Sequence, residues 1–482
     1  MSQDYDVVVI GAGGSGLAAA LSAAEHGASV VVLERLPQVG GTTGIAVGSF
    51  TAAKTKLQHA KAVEDQIDWH AEDAGKFAAP EIEARNNDEL RRFFLSHAAD
   101  TLHWLADYGL SFYGPSAEPP NRVARMHNVV PGAKAYITHF QLELQRKDVP
   151  IWVNVRDVEL QRSGAGQVTG VVCRTDSGEQ QIHARKGVVL AGGDYANNPE
   201  LIARFKGSEY GQVEGINPYA VGAGHLLAED AGAEMVNMDI TYGPELRFVA
   251  SSKTPFQQWL PTTGIWSRLL GFVARRMPAK MMNWFIKRLL VTWQHPENAL
   301  FDDGAILVNK SGKRFVEETK WPEREIAVAN QQDKQAFLVL DQQLIARYSK
   351  WPNFISTAPD IAYAYVDDYL RLRPDVTVAG SDLSELAKSR GVDATNLLKT
   401  VEQSSLANGR FVLMGPVKAY FTTTEGGARI DEHFRVIDTN GEVIPGLYAV
   451  GQNGLSGMVL FGHGLHIGWA MTSGRLVGRE FA

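Results

Sequence analysis

Residues 6–34 read DVVVIGAGGSGLAAALSAAEHGASVVVLE, and the order of residue types in this stretch decides the fold. Asp6 to Ile10 form a short β-branched run of the kind buried on both faces of a parallel sheet. Gly11, Gly13 and Gly16 follow in GxGxxG spacing, with Gly14 and Ser15 between them, and a helix-forming run of alanine and leucine is stopped at Gly27. A second apolar run then ends at Glu34, so the stretch predicts a βαβ unit. The first glycine makes the tight turn, the second lets backbone approach a pyrophosphate, and the third lets helix and strand pack closely. The helix N-terminus offers unpaired N–H groups and a favourable dipole to the phosphates. Glu34 is placed to accept the ribose hydroxyls, which disfavours a 2′-phosphate. A GxGxxG match alone recurs by chance, but here strand, turn, helix, strand and acid fall in register, and the segment reads as a dinucleotide site.

The rest of the chain bounds what surrounds that site. The 482 residues are 45% hydrophobic, enough for a large core and for two or three units of ordinary domain size. A formal net charge of −7 argues against nucleic acid as the main partner. Cys173 is the only cysteine, which excludes an internal disulfide, a cysteine-ligated iron–sulfur cluster and a CxxCH haem site. No metal-ligand spacing is visible either. The run MSQDYD leads straight into the first strand without a signal-peptide pattern, so a cytoplasmic protein is expected. No stretch approaches the ~20 consecutive apolar residues needed to span a bilayer.

Glu34 is followed by Arg35 and then by a second glycine-rich loop, Gly40, Gly41, Thr42, Thr43 and, further on, Gly48. This loop resembles the extension by which FAD enzymes contact pyrophosphate and flavin. KGVVLAGGDYANN, residues 186–198, reads as a buried strand ending in Gly192 and Gly193, a return crossing that brings Ala191 and Gly192 beside the dinucleotide. GEVIPGLYAVGQNG, residues 441–454, is another strand ending in glycine, at Gly451 and Gln452. HGLHIGWAMTSGR then predicts a helix, and the resemblance to FAD enzymes implies that its N-terminus, near Leu465, His466 and Ile467, points at the flavin, where its dipole favours an anionic reduced state.

Together with VGAGHLLAEDAGA from Val221, GAILVNKSGKRFVEE from Gly304 and TTEGGARID from Thr423, these segments resemble the fumarate reductase and succinate dehydrogenase flavoprotein family over nearly the whole chain. The soluble branch that includes 3-ketosteroid dehydrogenases is particularly similar. The resemblance implies an α/β protein with a Rossmann-like FAD-binding domain, residues 1–242 and 421–482, interrupted by an α+β capping domain, residues 243–420. It also implies FAD held non-covalently and hydride exchange with a C–C bond beside a carbonyl.

The departures from that family bear on substrate. Members acting on C4-dicarboxylates carry an arginine where a gapless count places Phe461, and a histidine where this chain has Thr423. Buried carboxylates need paired donors, so a bulky, mostly apolar substrate fits better than a small dianion. Ketosteroid branches place a tyrosine near Leu460 and Phe461. Candidates for proton chemistry are therefore His463, flanked by two glycines; Arg324, two residues beyond Pro322, where dicarboxylate reductases keep an acidic-step arginine; and Tyr242 and Tyr420, at the start and end of the cap. Tyr113 and Tyr136 are remoter candidates.

One segment departs from the acidic balance. Leu246 to Pro296 has eight Lys or Arg residues and no Asp or Glu. Within it, residues 264–293 predict two amphipathic helices broken at Pro278. Trp266, Leu269, Leu270 and Val273 share a face opposite Arg268 and Arg275, and Met282, Phe285, Ile286 and Leu289 oppose Lys280 and Lys287. Such helices suit peripheral contact with the inner face of a cell membrane, or packing on the enzyme itself. Membrane contact would bring a quinone or other external electron acceptor and a lipophilic, 3-ketosteroid-like substrate within reach. Two further classes stay open, a reductase of a small unsaturated carboxylic acid and an electron-transfer flavoprotein subunit.

Overall fold

The computed structural model describes residues 2–164, 166–251, 259–293, 295–358 and 362–482. Within these, the side chains at 2, 279, 280, 282, 283, 289, 292, 293 and 358 lie outside the description, so the parts of the second amphipathic face assigned to Lys280, Met282 and Leu289 are not among the described residues.

The expected βαβ unit is present as β1 (Ser2–Ile10), α1 (Gly14–Glu25) and β2 (Val30–Leu33), followed by the short α2 (Gly41–Ile45) and, much later, β3 (Gly178–Leu190). β1 pairs in parallel with β2 on one side and β3 on the other, Ile10 lying level with Leu33 and Leu190. The main path of this sheet runs Arg435–Ile437, Val443–Ala449, β3, β1, β2, Ile151–Trp152. Val7 to Val9 and Val31 to Val32 have no solvent exposure, as a sheet covered on both faces requires. The ends of β1 and β3 converge where α1 begins, the position at which an open α/β sheet holds its ligand.

A second body interrupts the first. β4 (Thr241–Tyr242) and β5 (Glu245–Phe248) lead into α3 (Gly264–Arg276) and α4 (Ala279–Trp293), and the segment returns through β6 (Phe411–Phe421) and β7 (Thr423–Thr424). β6 is the spine of a six-stranded, mainly antiparallel sheet that includes Ile306–Val308, Ala336–Leu340 and Thr377–Gly380. Its apolar core is separate from that of the first sheet and gathers residues from Tyr195 to Phe421, whereas the first core uses residues up to Ala233 and again from Ala428.

The chain closes with α5 (Leu465–Arg479), laid along α1. Small residues set the distance between these helices. A Cβ on Gly474 would stand 2.3 Å from the Ser15 carbonyl oxygen, and one on Gly478 would stand 2.5 Å from Ser22 Cβ. Ser22 Oγ donates to the Arg475 carbonyl at 2.7 Å across the same contact.

Candidate active site

A cavity of about 510 Å³ opens at the C-terminal ends of β1, β2 and β3. Its floor is backbone. Gly11 takes φ +108°, and a Cβ there would lie 2.3 Å from the Ala191 carbonyl oxygen; a Cβ on Gly16 would come within 1.9 Å of the Gly11 carbonyl oxygen. Gly13 differs, because a Cβ added there meets no protein atom within 4 Å and would stand in open space. Three helices start at this cavity, at Gly13, Gly40 and Gly464, and none has a side-chain cap on its N-terminus. Uncapped N–H groups around one cradle suit a bound anion. Glu34 is fixed from behind: its Oε2 accepts the Ala12 N–H at 2.8 Å and its Oε1 the Leu36 N–H at 2.9 Å. These observations fit a dinucleotide with its pyrophosphate over Gly13 and a ribose at Glu34.

Most residues expected to hold the cofactor line this cavity: Gly11, Gly13, Gly14 and Ser15 from the first turn, Glu34 and Arg35 after β2, Gly41, Thr42 and Thr43 on α2. Ala191, Gly192, Gly451, Gln452, His466 and Ile467 line it from the other strands and from α5. Gly16 does not line it and packs α1 on the first turn instead. Gly40 also stands back, donating its N–H to the Ala12 carbonyl at 2.9 Å to hold the second loop on the first. Gly48 and Leu465 do not line the cavity either. A Cβ on Gly48 would meet Val129 Cγ1 at 2.6 Å and its carbonyl accepts the Tyr136 hydroxyl at 3.1 Å, so it is a packing glycine beneath the sheet; Leu465 turns its side chain into the core, 2% exposed.

Asn217, Glu425 and Asp194, polar groups that the sequence did not point to, hold or join the expected liners. Asn217 Nδ2 donates to Thr42 Oγ1 at 2.9 Å, and Gln452 Nε2 donates to Thr423 Oγ1 at 2.7 Å. Glu425, with no solvent exposure, accepts from the Leu460 N–H at 3.1 Å and lies 2.7 Å from His466 Nε2. Asp194 lines the cavity as well, and burial raises its carboxyl to about 6. Glu425 and Asp194 both stood inside the quoted segments, but nothing in an isolated strand-end acid reveals which way it turns.

A second cavity of about 280 Å³ adjoins the first. β4 pairs antiparallel with β7 so that Tyr242 lies opposite Thr423, and Tyr242 lines the second cavity while Thr423 lines the first. Its apolar wall includes Ile82, Pro244, Leu246, Pro296, Trp321 and Phe461. The Phe461 ring meets Tyr242 edge-on, centroids 5.1 Å apart. Burial raises the Tyr242 hydroxyl pKa well above the ordinary phenol value, and this hydroxyl has no hydrogen-bond partner among the described residues.

The charged wall is self-compensated. Arg324 is buried; it donates to Glu325 Oε1 from Nε at 2.9 Å, to the Glu318 carbonyl at 3.0 Å and to Asn298 Oδ1 at 2.7 Å, and it lies over the Phe301 ring. Arg247 pairs with Glu245 at 2.8 Å, and His295 Nδ1 stands 3.8 Å from Glu245 Oε2. Burial lowers the His295 pKa against the pull of Glu245 and raises that of Glu325 against the pull of Arg324. Glu325 Oε2 and His295 Nδ1 are buried without a hydrogen-bond partner among the described residues.

His463 stands at the rim, 57% exposed at its side chain, within electrostatic reach of Glu245 and His295. Its Nδ1 lies 2.5 Å from Glu118 Oε1, which also accepts the His463 backbone N–H at 2.9 Å. Desolvation lowers the imidazole pKa, but the Glu118 hydrogen bond and charge outweigh it and hold the ring above its ordinary value. A raised pKa contributes stability that is fully present below the unfolded value of about 6.5 and is lost as pH rises through the folded value. Glu118→Gln is therefore expected to lower the His463 pKa by NMR titration and to flatten the decline in melting temperature above that pH; an unchanged titration would separate the two residues.

The remaining tyrosines fall elsewhere. Tyr420 lines neither cavity, because it points along β6 toward Lys418, whose Nζ lies 5.9 Å from the ring centroid, and burial beside Glu214 raises it to about 12. Tyr136 is fully buried and spends its hydroxyl on Gly48, and Tyr113 sits opposite Asn128 in a separate three-stranded sheet. Among the described residues, no group of three or more His, Cys, Asp or Glu side chains is placed to hold a metal ion.

The family described as FAD binding domain matches residues 6–246 and 274–461. A fumarate reductase (cytochrome) of Shewanella frigidimarina is 28% identical over 99% of this chain and 77% of its own length. A 3-oxosteroid 1-dehydrogenase of Mycobacterium tuberculosis is 25% identical over 100% of this chain and 98% of its own. Among solved structures, the open conformation of a flavocytochrome c3 fumarate reductase superposes with a TM-score of 0.73 at 24% identity, covering 99% of this chain and 78% of that one.

Proposed function

We propose, from the premise that this chain belongs to the FAD binding domain family and is an FAD-dependent oxidoreductase, that it moves a hydride between flavin and a C–C bond beside the carbonyl of a neutral, lipophilic, 3-ketosteroid-like molecule. Residues 1–242 and 421–482 hold the cofactor in this reading, and 243–420 cover the substrate. When bound, FAD supplies the hydride-transferring N5 atom. The first-turn glycines and Glu34 hold it by its phosphates and ribose, and the N-terminus of α5 at His466 and Ile467 offers N–H groups and a dipole toward its ring.

The observation that carries the substrate reading is the committed state of Arg324, the arginine that lines the second cavity. Arg324 is saturated by Glu325, Asn298 and the Glu318 carbonyl, and Arg247 faces Glu245. A dicarboxylate entering there would meet the carboxyl groups of Glu245 and Glu325 and, in Arg324, a guanidinium already committed to protein acceptors, an unfavourable exchange in a desolvated site. A carbonyl needs only one donor, and Tyr242 carries a hydroxyl that can both donate and accept. Tyr242 is assigned as the residue that holds or moves the proton at the reacting carbon's neighbour. Arg324 is assigned to position Glu325, and His463 to set the charge at the rim. Homologues include a cytochrome-linked reductase and an oxosteroid dehydrogenase by name, which supports an external one- or two-electron partner; we assign a quinone, reached at a lipid surface through residues 264–293.

The test is anaerobic mixing of the yellow protein. Oxidised protein should bleach with a saturated 3-ketosteroid, or reduced protein should recover its colour with an unsaturated one, while fumarate leaves both spectra unchanged. Rapid recovery with fumarate or another small unsaturated acid would replace the substrate assignment. Electron exchange with a partner protein, and with neither ketones nor acids, would make the chain an electron-transfer subunit.

A further inference from the structure

No helix of the described residues is long and apolar enough to cross a membrane, yet half of the exposed large apolar side chains among the described residues fall in one short stretch. Sixteen large apolar side chains stand exposed among the described residues, and eight of them fall between Trp259 and Trp284. On α3 the face that packs against the protein is made of small residues. Ser267 and Gly271 are buried, and a Cβ on Gly271 would lie 2.4 Å from Ser111. The opposite face carries Ile265 at 77% exposure, Trp266 at 66%, and Leu269, Phe272 and Val273 at 43–48%. The expected apolar stripe of α3 is therefore turned outward, and packing on the enzyme does not account for it. α4 is tied down at its far end by Leu290 and Val291, 4% and 1% exposed, and leaves Met281 and Trp284 out.

Cations frame this face. The Arg276 guanidinium lies 3.8 Å from the Phe272 ring centroid and the Arg288 guanidinium 3.9 Å from that of Trp284. Arg275 extends from the same helix end, and no acid occurs between Leu246 and Pro296 in a chain of net charge −7. Contiguous exposed apolar surface marks an interaction site, and arginines interleaved with tryptophan and phenylalanine suit the boundary between anionic headgroups and acyl chains. The family match passes over residues 247–273, which hold most of the exposed α3 face, and resumes at 274 before α4.

We propose that the outer face of α3, with the start of α4, docks on an anionic phospholipid surface and inserts Ile265, Trp266, Leu269 and Phe272 among the acyl chains. This deepens the membrane part of the functional reading without depending on its chemistry. The two stems of the docked segment end at Leu246 and at His295–Pro296, which line the second cavity. Docking would hold that cavity beside the lipid surface from which an apolar molecule comes.

The experiment is flotation of the full-length flavoprotein with vesicles of phosphatidylcholine, with and without phosphatidylglycerol. The wild type should float with the anionic vesicles, less so at high salt. I265E/W266E/F272E should stay at the bottom with its flavin content and its activity toward a soluble substrate intact. R275Q/R276Q/R288Q should partition about a hundredfold more weakly, roughly fivefold per charge. Equal flotation of wild type and I265E/W266E/F272E would overturn the proposal. So would a wild type that fails to float and sediments as a dimer, with I265E/W266E/F272E monomeric; the face would then seat a second copy of the chain. Neither outcome alters the ketone-against-acid test of the active site.

Discussion

Gly13→Ala should yield a folded, colourless protein. Gly13 has φ −80° and ψ −172°, a conformation open to any L-residue, and the added methyl meets no protein atom within 4 Å. It would stand where backbone must approach the pyrophosphate. We expect a melting temperature for the cofactor-free variant within a few degrees of the cofactor-free wild type and at least a roughly hundredfold loss of FAD affinity, on the order of the ~3 kcal/mol that overpacking a tight contact costs. Gly16→Ala is the contrast. Its methyl would lie 1.9 Å from the Gly11 carbonyl oxygen, inside the protein, so the loss should appear as insolubility or a large drop in melting temperature even without cofactor. If Gly13→Ala binds FAD as the wild type does, the cradle is misassigned.

Tyr242→Phe should retain the flavin spectrum and lose about 10²–10³ in kcat, the range expected for removing one positioned acid–base or oxyanion donor. The hydroxyl has no hydrogen-bond partner among the described residues, so its removal strands no described group and the edge contact with Phe461 is kept. A KM near the wild-type value would place the loss in the transition state and not in uniform binding. Tyr420→Phe is the matched control and should be near neutral, since Tyr420 borders neither cavity. Retention of full turnover in Tyr242→Phe would move the proton chemistry to the Glu245–His295–Glu325 side of the cavity.

Sequence legibility followed how local each constraint was. The first turn, Glu34 and the GGTT loop were readable because backbone geometry within forty residues dictates glycine and acid at fixed offsets, and most of those positions line the cavity. Gly48 carries the same residue type for a different reason, close packing on Val129, which spacing does not distinguish. Groups joined across the chain were not readable at all. Glu118 and His463 are 345 residues apart, and His295 meets Glu245 only because the intervening basic segment folds back on itself. The amphipathic pattern of α3 was plain, but periodicity gives a face without saying whether protein covers it; that depended on Ser267 and Gly271 supplying the packed side.

The clasp between α1 and α5 has a temporal side. Ser15 and Ser22 of the first helix press on Gly474 and Gly478 of the last, and the cavity takes wall residues from both. A ribosome working at about 5–20 residues per second delivers the first turn roughly 20 s or more before Leu465. During that interval α1 lacks the helix that packs along it, and the cavity lacks His466, Ile467 and their neighbours. We expect cofactor capture to come late in biosynthesis, and cells grown short of riboflavin should yield chains that have completed their sheets and stay uncoloured until FAD is added.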